Sequence, residues 1–104
     1  MKVRIAPSAA AYMRQEVLYL RGYSPAAAQR FSDGLKRLKL NLTQFPHIGH
    51  KSDELPVPGV FRFVMDEYLV DYQVGSSWID ILAIRHGRQR PPGVPPEDDF
   101  DFEK

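Results

Sequence analysis

The chain of 104 residues contains no cysteine, which excludes disulfides, thiolate metal sites and a cysteine nucleophile. That absence fits a reducing cytoplasm. No uninterrupted apolar run approaches the ~20 residues of a membrane-spanning helix. The first residues, Met1-Lys2-Val3-Arg4-Ile5, lack the apolar core of a signal peptide. The expectation is a soluble cytoplasmic protein without a membrane partner. Internal repeats are also missing, and the length suits a single domain able to bury its own core.

Net charge is small as well, formally +1, but it conceals an asymmetry. Between Glu97 and Lys104 there are five acids and one base, and without them residues 1–96 carry thirteen Lys/Arg against eight Asp/Glu. A basic body favours an anionic partner such as nucleic acid or an acidic protein. Pro91-Pro92-Gly93-Val94-Pro95-Pro96 cannot build a ladder and reads as an extended linker to the acidic tail. The domain is therefore expected over residues 1–90, with 91–104 a flexible appendage.

What is present is patterned. Lys2-Val3-Arg4-Ile5 alternates as a short strand does. Pro7 ends it, and Ser8 is placed to cap a helix over about 9–21, with Ala10, Met13, Val17 and Leu20 on one side and Arg14 and Glu16 elsewhere. Gly22 stands where a glycine C-cap is expected. Ser24-Pro25 opens a second helix with a hydroxyl cap and proline at its first position. Its apolar stripe is Ala28, Phe31, Leu35, Leu38, Leu42 and Phe45, and Arg30, Lys36, Arg37 and Lys39 make the rest basic. Gly34 is expected to admit close packing of the first helix. Residues 46–59 read as loop. Three strands follow, over 60–65, 68–74 and 78–84, joined by an Asp66-Glu67 turn and a Gly75-Ser76-Ser77 turn whose glycine can take a positive φ. The order implies an α+β fold of two layers, β-α-α-β-β-β, a helix hairpin packed on a mainly antiparallel four-stranded sheet.

The last hairpin runs into the basic stretch Arg85-His86-Gly87-Arg88-Gln89-Arg90. Arg62, in the middle of the preceding strand, is expected to converge with Arg85, His86, Arg88 and Arg90 on one side of the sheet as a target- or nucleic-acid-binding cluster. RNA cleavage through the 2′-hydroxyl would need a base, an acid and cations around the phosphate. His86 with Arg62 and Arg85 supplies only part of that set. The alternative is that His86 is a turn residue and the arginines are solvated or paired with acids.

Other groups point less sharply. His47-x-x-His50 lies in a loop without a third ligand, so no metal is expected. Tyr68 and Tyr72 share a strand face and suit core packing, as Trp78 suits core or rim packing. Ser76-Ser77 with His86 lacks anything to orient the histidine as a hydrolase requires.

Together these pieces resemble the RelE/ParE family of small bacterial toxins. The likeness rests on the element order and on Phe45-Pro46…Gly49, Pro58-Gly59-Val60-Phe61-Arg62, Tyr68-Leu69-Val70-Asp71-Tyr72 and Ile81-Leu82-Ala83-Ile84-Arg85-His86-Gly87-Arg88. It spans about residues 2–90, and the His-Gly-Arg ending looks more like the ParE branch. The resemblance implies the toxin of a type II toxin–antitoxin module that assembles with a cognate antitoxin as a hetero-oligomer and needs no cofactor. A ParE-like toxin would inhibit growth by binding DNA gyrase and stabilise a plasmid that carries it. A RelE-like toxin would instead cleave mRNA on the ribosome, with His86, Arg62 and Arg85 as catalytic groups. An acidic, amphipathic antitoxin segment is expected on the helix hairpin or the sheet.

Overall fold

A computed structural model describes residues 1–51 and 57–87. Its elements are β1 (Lys2–Ile5), α1 (Pro7–Tyr23), α2 (Pro25–Gln44), β2 (His50–Lys51), β3 (Val60–Met65), β4 (Tyr68–Val74) and β5 (Trp78–His86). The five strands form one sheet in the order β1-β5-β4-β3-β2, and the two helices cover one of its faces. The fold is the expected two-layer α+β arrangement, with one strand more than the four read from the sequence. The extra strand is β2, a two-residue piece in the stretch read as loop. It is defined only by its antiparallel partner, with His50 opposite Arg62.

The helices start and stop for identifiable reasons. Proline occupies the first position of each, where its missing N–H costs nothing. Ser24 caps α2, its Oγ accepting from the Ala27 N–H at 3.2 Å. No side chain caps α1, so Ser8 lies inside that helix and not before it. The helix also runs through Gly22 to Tyr23, and Ser24 closes it by donating its N–H to the Leu20 carbonyl. The same serine thus ends one helix and begins the next.

The core lies between the layers. Tyr72, Leu38, Leu42, Ile79, Ile81 and Val70 are fully buried. Each such side chain contributes roughly 1.5–3 kcal/mol by leaving water. Gly34 packs against the sheet and not against α1, since a Cβ there would meet the Met65 Sδ at 3.4 Å. Phe45, expected in the apolar stripe, is 58% exposed because α2 ends one residue earlier. Glu16 departs furthest from its expected outward position. It is buried, and its carboxylate accepts a hydrogen bond from the Tyr68 hydroxyl on β4.

The sheet is antiparallel except where β1 runs parallel beside the first half of β5, from Lys2 opposite Trp78 to Ile5 opposite Ile81. The β3–β4 hairpin turns at Asp66-Glu67, with Met65 opposite Tyr68. Asp66 adopts φ 55°, a left-handed conformation that aspartate tolerates. Gly75 does not use the positive φ anticipated for it; its N–H donates to the Trp78 carbonyl at 2.8 Å. Between β4 and β5 the register slips. Asp71 faces Ala83 while Tyr72 faces Ile81, which leaves Leu82 as the extra residue of a β-bulge. The bulge resets the alternation, so Ile79, Ile81, Ile84 and His86 all come to the helix side.

Candidate functional site

The register assigns each expected site residue to a face. Arg62 lies on the outer face of the sheet, away from the helices, because its neighbours Phe61 and Phe63 point into the core. Arg85 shares that outer face by alternation with the buried Ile84. His86 is on the helix side, with its ring edge-on to Tyr68 at 5.4 Å between centroids. Arg62 and His86 are thus two strands and three residues apart, roughly 14 Å between Cα atoms at ordinary sheet spacing, and face opposite ways. Arg62 and Arg85 share the outer face, whereas His86 lies on the helix side. The phase slip at Leu82 is the physical reason. Arg88 and Arg90 lie outside the described residues.

Charges on the outer face are largely matched internally. Arg62 Nε and Nη2 donate to the two Asp71 carboxylate oxygens at 2.8 and 3.2 Å, with both side chains mostly out of water. Two parallel N–H···O bonds hold the guanidinium flat over the strand pair. Further along, Arg4 makes the same fork with Asp80 at 2.7 and 3.1 Å while its guanidinium stacks 4.3 Å from the Trp78 ring centroid. Hydrogen bonding to Asp80 raises the Arg4 pKa above the ordinary arginine value, so the group stays charged. Trp78, at the rim of this face, is 37% exposed. On the other side of the sheet, His86 Nε2 lies 2.9 Å from Glu67 Oε1.

Two tyrosines anchor this arrangement from below, as their shared strand face suggested. Tyr68 joins Phe31, Glu16 and His86, and Tyr72 accepts the Gly49 N–H at 2.8 Å through its hydroxyl. Burial raises the Tyr72 pKa, with the Gly49 hydrogen bond opposing in part. A Cβ at Gly49 would approach the Arg62 carbonyl oxygen to 2.8 Å and the Tyr72 hydroxyl to 2.9 Å. Only glycine fits there, which explains the Phe45-Pro46…Gly49 turn. His47 packs its ring edge on Phe61, and among the described residues no group of three metal-ligating side chains comes together.

The helix layer carries exposed positive charge. Arg14, Arg21, Arg30, Lys36, Arg37 and Lys39 are all exposed. Of the two acids on the helices, Glu16 is buried and Asp33 is half-buried, its Oδ1 accepting from Gln29 at 2.9 Å. Leu18, Tyr19 and Tyr23 stand out from the same layer, the two tyrosine rings stacked at 6.4 Å. The sequence holds the signal for this patch: an aliphatic and two aromatics at positions outside the apolar stripe of α1.

Residues 3–91 match the family model of the ParE toxin of type II toxin–antitoxin systems, parDE. Among solved structures, the chromosomal ParDE TA system from P. aeruginosa has a similar fold, with a TM-score of 0.68 at 21% identity over 83% of this chain and 95% of that one. No curated relative matches the sequence. Among the described residues, no helix is long and apolar enough to cross a membrane.

Proposed function

We propose, for a chain that belongs to the ParE family of toxins of type II toxin–antitoxin systems, that it arrests growth by docking on DNA gyrase and performs no chemistry of its own. Family membership makes the chain the toxin of such a module and implies an antitoxin partner. In this reading a cognate antitoxin neutralises the toxin in a hetero-oligomer, the pair works in the cytoplasm where gyrase does, and a plasmid carrying the module is stabilised.

The observation that carries the reading is the placement of His86 and Arg62 on opposite faces of the sheet. A ribonuclease acting through the 2′-hydroxyl needs its proton-transfer groups and its cations around one phosphate. Here Arg62 is held by Asp71, and His86 lies against Glu67 and Tyr68 on the far side. An outer face on which Arg4 and Arg62 are held by aspartates suits recognition of a target better than turnover. A supercoiling assay with purified gyrase tests this: the toxin is expected to inhibit supercoiling in a dose-dependent manner, and an unaffected enzyme at saturating toxin refutes it. Transcripts cut at defined positions after induction, and left whole by His86→Ala, would instead establish the ribosome-dependent nuclease.

A further inference from the structure

The acidic tail is the part of the sequence that the proposed function leaves unused. Residues 97–104 set Phe100 and Phe102 among five carboxylates. The fold fixes where the chain departs toward them. The Gly87 N–H donates to the Glu67 carbonyl, and the His86 ring lies against the Glu67 carboxylate, so the end of β5 is pinned to the β3–β4 turn. Glu67 and Arg30 line the same pocket of about 320 Å³, together with Leu20, Tyr23, Ala27 and Phe31. The chain therefore leaves beside the first exposed cation of α2.

From Arg30 that helix carries three more, Lys36, Arg37 and Lys39, spread over about 14 Å at the helical rise. All four are exposed, and none is in an ion pair among the described residues. Leu40 stands among them 68% exposed, with Lys36 and Arg37 four and three residues before it on the same face. Asp33, the one acid of α2, is half-buried and accepts from Gln29. The nine residues 88–96 reach about 28 Å at the polyproline rise, more than the distance from Arg30 to Leu40.

We propose that residues 97–104 fold back on this face of α2, their carboxylates meeting Arg30, Lys36, Arg37 and Lys39 and their two phenylalanines covering Leu40. Charge complementarity and the tether select this occupant. A short linker holds the tail at an effective concentration of about 1 mM, so a contact too weak to form between separate molecules is populated within one chain. The outer sheet face suits the tail less, because Asp80 and Asp71 already hold Arg4 and Arg62. A second copy of α2 would bring like charge against like charge. The contact needs neither gyrase nor an antitoxin, and so goes beyond the proposed function. While it holds, it shields the cations of α2 from other acidic partners.

Because the chain has no cysteine, Lys104→Cys places a single nitroxide label on the tail of the otherwise intact protein. Amide relaxation is then read in about 10 mM and about 1 M salt, where charges are screened over about 30 and 3 Å. At low salt the label is expected to broaden the amides of residues 36–41 about threefold more than those of β4, and at high salt the excess vanishes. Replacing the five tail acids by their amides, or Lys36 and Arg37 by glutamine, should remove most of the excess with melting temperatures unchanged. Broadening spread evenly over the surface, or centred on α1 or the outer sheet face, overturns the proposal. So does an excess that survives high salt or the five amide replacements. Equal broadening in a mixture where label and observed amides sit on different molecules assigns the contact to a second copy and likewise overturns it.

Discussion

The two outward faces of the molecule use positive charge in opposite ways. On the sheet, Arg4 and Arg62 are each locked in a two-pronged bond to an aspartate on the neighbouring strand. On the helix layer, six cations stand in solvent, and none of them is in an ion pair among the described residues. A census of arginines cannot tell these cases apart. The first kind fixes strand register and shape; the second is available to a partner.

Breaking the pair on the sheet tests that contrast most severely. Asp71→Ala leaves the Arg62 guanidinium in a site where only 17% of its side chain reaches water. The expected loss is about 3 kcal/mol, the usual cost of stripping one partner from a largely buried pair. The double variant Arg62→Ala/Asp71→Ala should lose less than Asp71→Ala alone, as urea unfolding would reveal. Equal losses would mean the pair is no more than a solvated contact.

A smaller effect comes from the residue beneath that pair. Tyr72 has its pKa raised by burial, so the folded protein holds its phenolic proton above pH 10.0, where the unfolded chain has begun to release it. Stability from this group is complete below the unfolded value and declines as pH rises past it toward the folded value. Tyr72→Phe should therefore flatten the alkaline limb of the stability curve, measured by melting between pH 9 and 11 at intervals of about half a unit. An unchanged limb would deny the tyrosine this role.

The helix layer supplies the null case. Arg37→Gln should alter unfolding free energy by no more than about 0.5 kcal/mol, since an exposed cation that forms no ion pair among the described residues carries little stability. A larger loss would erase the distinction drawn between the faces.

Much of this architecture was legible in the sequence because local rules agreed with the fold. The Ser24-Pro25 helix start, the two-residue Asp66-Glu67 turn and the apolar alternation of 60–74 each specify their element without distant help. Given that turn, Met65 opposite Tyr68 forces Arg62 opposite Asp71, so even the ion pair follows from counting. What stayed hidden depends on distant partners. Glu16 looks like a surface residue until Tyr68, 52 residues away, is brought over it. β2 exists only because β3 lies beside it. The facing of His86 was hidden in the same way: the run Ile81-Leu82-Ala83-Ile84 breaks strict alternation, and that break is the sign of a bulge that puts His86 on the face opposite Arg62.

That single surplus residue also sets how β5 must be compared with strands that lack it. Removing Leu82 would restore an unbroken two-residue rhythm from Trp78 onward and leave Arg85 on the outer face and His86 beneath the helices, whereas pairing Leu82 regularly, without the bulge, would exchange those two faces. A relative that lacks this residue therefore keeps the same faces, and aligning it without a gap at Leu82 would compare residues from opposite sides of the sheet.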